Sequence, residues 1–258
     1  MFSREYSGSV ANKRLYAHTI ADELHQQQRA LRGVARTKLT FNSDRDGERM
    51  SGTVENRGVK VFVADNPDEV QKFEAYADQA ELLLRVSFRS PGAVCDLSRK
   101  FGCDPEDLLA LARLAKRVGV TVRGLSFHVG SQAKDPGKHV EAIEACAGLM
   151  AEARREKLGV FDTLDIGGGF PIDYGERAPP IQRFCAPIRA ALAALPKRIR
   201  VIAEPGRFIS GPSAIGVASV MGRAKREGHW WYYLDDGLYG SYSGQLFDHA
   251  RYPVEALV

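Results

Sequence analysis

From residue 59 onward, short apolar runs alternate with longer segments whose apolar residues recur every three to four positions. The runs Val59–Ala64, Leu82–Phe88, Val120–Phe127, Thr163–Ile166 and Ile199–Ala203 predict β-strands. Between them, residues 67–78, 105–118, 136–157 and 180–194 predict helices. Asp65 or Asn66 is a natural cap for the first, with Pro67 in its opening turn. Asp104-Pro105 opens the second in the same way. A continuous apolar strand is buried on both faces, so this alternation predicts parallel strands covered by helices, an α/β architecture. After Arg207 the pattern changes. Residues 214–224 and 230–234 predict strands with no helix between them, the start of a β-rich part. Residues 1–58 are the least patterned: Leu15, Ile20, Leu24 and Leu31 fall at loosely helical spacing, and residues 42–47 predict a loop. The expected organisation is a poorly defined segment at 1–50, a βα region at 51–210 and a β-rich part at 211–258.

Composition narrows the class. The 258 residues are 44% hydrophobic and 26% charged, which excludes wholesale disorder, collagen-like repeats and a membrane bundle. The net charge of +4 comes from basic and acidic residues interleaved along the chain, so neither nucleic acid nor a membrane surface is expected as a partner. Cys95, Cys103, Cys146 and Cys185 have neither CxxC spacing nor a histidine cluster, which argues against a metal site or a disulfide framework. Reduced cysteines and an N-terminus without an apolar core predict a cytoplasmic protein.

In a βα barrel the reactive residues lie just beyond the strand C-termini. Those points carry Arg85, then Ser126-Phe-His-Val-Gly-Ser-Gln132, then Asp165-Ile-Gly-Gly-Gly-Phe-Pro171, then Ala203-Glu-Pro-Gly-Arg207. Glycines let backbone N–H groups converge on an anion, so Gly167, Gly168 and Gly169 are a candidate phosphate cradle, although a tight turn explains them as readily. Arg207 could add a bidentate contact to the same phosphate. His128 alone reads as a structural histidine, and Glu204 alone as the partner of a nearby arginine. Their joint placement at successive strand ends suits a phosphorylated aromatic cofactor.

With these motifs in order, the chain resembles the ornithine/diaminopimelate/arginine decarboxylases, which bind pyridoxal 5'-phosphate (PLP) on an alanine-racemase-like barrel. The resemblance rests on His128-Val-Gly-Ser-Gln132, Gly167-Gly-Gly-Phe-Pro171, Glu204-Pro-Gly-Arg207 and Asp236-Gly-Leu-Tyr-Gly240 through Asp248-His249, with Leu97–Gly102 as a further match. It spans about residues 50–256 and is nearest the ornithine decarboxylase branch. It implies a partial (β/α)8 TIM-like barrel followed by the start of a β domain. It implies that His128 stacks on the cofactor ring, that Ser131, the Gly167–Gly169 run, Gly206 and Arg207 hold the phosphate, and that Arg85 supports the ring-side network. Glu204 would keep the pyridine nitrogen protonated, where alanine racemases carry an arginine, so decarboxylation is implied rather than racemisation. Tyr239, Phe247 and Asp248 would contact the substrate, with Asp248 on the distal amine of ornithine or lysine. Phe247 stands where the family usually has an aromatic hydroxyl. The family's head-to-tail homodimer would use the segment around Lys100.

Measured against the resemblance, the chain reads as shortened at both ends. The family's Schiff-base lysine would fall at or before Met1, and Lys38 is the sole upstream lysine in a β-like context. A Cys-x-Asp-type segment that protonates the product would lie beyond Val258. The expected function is decarboxylation of ornithine to putrescine in polyamine biosynthesis, weakened by those departures. The alternative is an inactive, decarboxylase-like regulatory or vestigial protein.

Overall fold

The five apolar runs form one parallel sheet. In the computed structural model, which describes residues 59–89, 98, 100–173, 177–213, 215–247 and 250–256, these strands are β1 (Val61–Ala64), β2 (Glu81–Val86), β3 (Thr121–Phe127), β4 (Thr163–Asp165) and β5 (Arg200–Ile202). They pair in sequence order, β1-β2-β3-β4-β5, every pair parallel. A helical segment joins each strand to the next: α1 (Pro67–Lys72), α2 (Leu108–Arg117), α3 (Gly137–Arg155) and α4 (Ile181–Ala193). This is part of an α/β barrel, five consecutive strands joined by four helical segments, with the sheet open between β1 and β5 among the described residues.

Burial explains the order. Leu82, Leu84, Val122, Leu125, Phe127 and Leu164 are essentially inaccessible on the central strands. Leu108, Leu111 and Ala115 of α2, Ile143, Cys146 and Met150 of α3, and Phe184 and Ile188 of α4 cover them. On the outer strands, Val61, Val63 and Val201 are about two-fifths exposed or more.

The helix expected over 67–78 is shorter. Asn66 caps α1 by accepting from the Glu69 amide at 3.0 Å, and the chain then tightens into a 3-10 turn at Phe73–Tyr76, where Phe73 is buried against Phe62. A 3-10 turn, Pro105–Asp107, likewise precedes α2. The strand expected from 214 begins only at β6 (Val220–Arg226), which pairs antiparallel with β7 (His229–Leu234). Before it lie a short helix, α5 (Arg207–Ser210), and a 3-10 turn at Gly211–Ser213. A final short helix, α6, is Gly244–Phe247. The readings at residues 12–32, at 42–47 and at Lys38 lie outside the described residues. So does the site reading at Asp248, and so does the Phe247 side chain.

Candidate active site at the strand C-termini

The C-terminal ends of β1 to β5 bring their polar residues to one mouth. Asp65 follows β1, Arg85 lies on β2, His128 follows β3, Asp165 ends β4 and Glu204 lies two residues beyond β5. Burial pulls the Arg85 guanidinium below its ordinary range, while Glu204, Asp65 and Asp165 act the opposite way. Three acidic side chains thus act electrostatically on one partly desolvated cation. Asp65 is itself anchored: its Oδ2 accepts from the Gly102 amide at 2.7 Å, and its Oδ1 accepts from Asn66 at 2.8 Å.

His128 is fixed and neutral. Its Nδ1 accepts from the Gly130 amide at 3.0 Å, which leaves the ring proton on Nε2. Burial pushes its basicity down to about 4, and the charges of Arg85 and Arg207 add to that. Asp165 is 4% exposed and moves the other way. Burial first and Glu204 second push it up to about 6, against the Gly167 amide that donates to its Oδ1 at 2.9 Å. Sequence reading passed over Asp65 and Asp165. Each closes a strand at the mouth, and that position was the available signal.

The glycine run is required by close approach. A Cβ on Gly167 would sit 2.1 Å from the Phe127 carbonyl oxygen, on Gly168 2.5 Å from that of Glu204, and on Gly169 2.4 Å from that of Gly130. Gly167 and Gly169 also have positive φ, at 62° and 92°. The three carbonyls are all tied, Gly167 to the Glu204 amide at 2.7 Å, Gly168 to His139 Nε2 at 3.0 Å and Gly169 to the Ala133 amide at 2.9 Å. The following amides, those of Gly168, Gly169 and Phe170, donate to no protein acceptor among the described residues. Successive free amides of this kind form an anion cradle, which a phosphate fits. Gln132 locks the loops after β3 and β4 together, its Nε2 donating to Ile172 O at 2.8 Å and its Oε1 accepting from Ile172 N at 3.0 Å.

Gly206, at φ 47°, turns the chain after β5 into α5, where Arg207 is half-buried and within electrostatic reach of His128. Ser131 lies half-buried in the loop after β3. The structure therefore brings Arg85, His128, Glu204 and Arg207 into one charged neighbourhood, with the glycine run between His128 and Glu204. Tyr239 is fully exposed.

The family model for the pyridoxal-binding domain of pyridoxal-dependent decarboxylases matches residues 22–211. The chain belongs to this family. Among curated relatives of this decarboxylase-family chain, a lysine/ornithine decarboxylase of Selenomonas ruminantium is 36% identical over 204 residues, covering 76% of the chain and 50% of the relative. An ornithine decarboxylase of Schizosaccharomyces pombe is 36% identical over 202 residues, covering 77% and 45%. The solved lysine/ornithine decarboxylase of Vibrio vulnificus complexed with putrescine is 52% identical at a TM-score of 0.69, covering 76% of the chain and 52% of that structure. The chain spans about half the length of the curated relatives it matches. The family's cofactor is PLP, and solved relatives carry it.

Proposed function

We propose that this chain forms the PLP site of a decarboxylase acting on a basic amino acid, with ornithine, giving putrescine, as the first substrate. One observation carries the reading: a neutral, oriented imidazole, a cradle of free amides and a carboxylate stand together at the ends of β3, β4 and β5. The amides after Gly167, with Ser131, Gly206 and Arg207, would hold the phosphate. Neutral His128 would lie flat against the ring without repelling a protonated pyridine. Glu204 would hold the proton at the pyridine nitrogen, with the Arg85 charge supporting the ring-side network. Bound PLP supplies an electron sink for the electron pair left behind when carbon dioxide departs.

Glu204 supports carbon dioxide loss over racemisation, because a carboxylate keeps the ring nitrogen charged. Asp248, with Tyr239 and Phe247, would meet the distal amine, and Lys38 is the candidate Schiff-base lysine within the matched range. Relatives solved with putrescine and with cadaverine support four- and five-carbon diamines as products. The 1–50, 51–210 and 211–258 division, a homodimer and a cytoplasmic location belong to the same reading. No helix among the described residues is long and apolar enough to cross a membrane.

The test incubates the full chain with PLP and carboxyl-labelled ornithine or lysine, then measures released carbon dioxide and diamine. Putrescine matched to carbon dioxide supports the reading. PLP binding without carbon dioxide assigns the inactive alternative, and racemised amino acid without carbon dioxide assigns racemisation.

A further inference from the structure

The buried side of the glycine loop faces an aromatic cluster that contains one imidazole. His139, in the first turn of α3, is 0% exposed. Its ring centroid lies 5.3 Å from that of Phe170, 5.9 Å from Phe184 and 6.5 Å from Phe127. Its Nε2 stands 3.0 Å from Gly168 O, and its Nδ1 has no hydrogen-bond partner. A carbonyl oxygen only accepts, so Nε2 carries the proton and Nδ1 is a bare lone pair in an apolar pocket. Burial disfavours the charged ring. A phenyl would fill this cluster without an unpaired nitrogen. What the imidazole adds is one N–H on Gly168 O.

That bond has a geometric consequence. The peptide joining Gly168 to Gly169 is trans and planar, so its carbonyl and its N–H point in opposite directions. Holding Gly168 O toward α3 aims the Gly169 amide away from α3. The Gly167 and Gly169 carbonyls are held by the backbone amides of Glu204 and Ala133. Among the three tethers of the cradle, the one at Gly168 is the side chain.

We infer that His139 is a positioning residue for the phosphate cradle, fixing the Gly169 amide through Gly168 O. The inference rests on the reading of the loop as a PLP phosphate site. His139 itself touches neither phosphate nor substrate.

The experiment compares the affinities of the full chain for PLP and for pyridoxal, which lacks the phosphate, in the unsubstituted protein and in His139→Phe, His139→Met and His139→Gln. Circular dichroism and thermal melting confirm that each variant is folded. Phe and Met are expected to weaken PLP binding about tenfold while pyridoxal affinity stays within about twofold. Gln, whose amide can reach the same carbonyl, is expected to restore most of the difference. An unchanged PLP-to-pyridoxal ratio in a folded apolar variant overturns the inference. So does a ring ¹⁵N spectrum of the unsubstituted chain showing the proton on Nδ1 of His139, a readout that needs no variant to fold. An unsubstituted chain that binds PLP no more tightly than pyridoxal fails the cofactor reading itself, and the inference falls with it.

Discussion

His128 and Asp165 respond to pH in opposite senses over the same interval. The His128 pKa falls from its ordinary 6.5 to about 4 in the fold. Between those values the unfolded chain binds a proton that the folded chain does not, so this stability is present above about 6.5 and is lost as the pH falls toward 4. The Asp165 pKa rises from 3.8 to about 6, so its contribution is full below about 4 and is lost as the pH rises through 6. Each swing is on the order of 3 kcal/mol, and the two largely offset. Asp165→Asn keeps an acceptor for the Gly167 amide and removes one of the two. The expected outcome is an unfolding free energy that falls more steeply than that of the unsubstituted chain between pH 6.5 and 4, measured by urea denaturation at several pH values. Parallel curves would contradict the assignment. At the cradle, Gly168→Ala places a methyl 2.5 Å from a backbone oxygen and 2.9 Å from His128 Nε2. A loss of about 1–3 kcal/mol is expected. Gly148→Ala, in open space on α3, is expected to be neutral or to stabilise by up to about 1 kcal/mol. Equal melting temperatures for the two variants would refute the close approach at the glycine run.

Among the elements, α1 gives a direct test of local capping. Asn66→Ala removes the acceptor of the Glu69 amide and is expected to lower stability by about 1 kcal/mol, while Asn66→Asp retains it. An alanine variant as stable as the aspartate variant would remove the cap from the account of this helix. The five parallel strands were legible because strands buried on both faces read as unbroken apolar runs, Leu82-Leu83-Leu84 being the plainest. The helix after β1 was legible in position but not in type, since a 3.6-residue period does not separate an α-turn from the 3-10 turn at Phe73–Tyr76. The start of β6 was misread because Ile215 and Val217 alternate with small residues as on a strand, just ahead of Val220-Met221. Pairing decides instead. β7 ends at Leu234 opposite Val220, and Asp235 turns the chain there while its Oδ1 accepts from the Ser219 amide at 2.7 Å. His128, Glu204 and the glycine run stood out as motifs at strand ends. His139 did not, because one histidine in the first turn of a helix looks like surface until the fold shows it at 0% exposure.

At the scale of the whole molecule, the βα units and the β6–β7 hairpin differ in how they are covered. The sheet buries its central strands under helices, whereas every residue of β7 is exposed, Trp230, Trp231 and Tyr232 each by more than half. The chain's two tryptophans both lie on that strand, so tryptophan fluorescence reports on it alone. Emission near that of free indole in water, with ready acrylamide quenching, is expected; blue-shifted and protected emission would show the hairpin covered in solution. The central claim concerns the mouth formed by the ends of β1 to β5. The most direct measurement is an equilibrium titration of the full chain with PLP, followed by the cofactor's absorbance, in the unsubstituted protein and in Arg207→Ala. The expected result is saturable one-to-one binding that weakens about tenfold or more when the guanidinium is removed. No saturable binding by the unsubstituted chain, or equal affinity in the variant, would contradict a phosphate site at the strand C-termini.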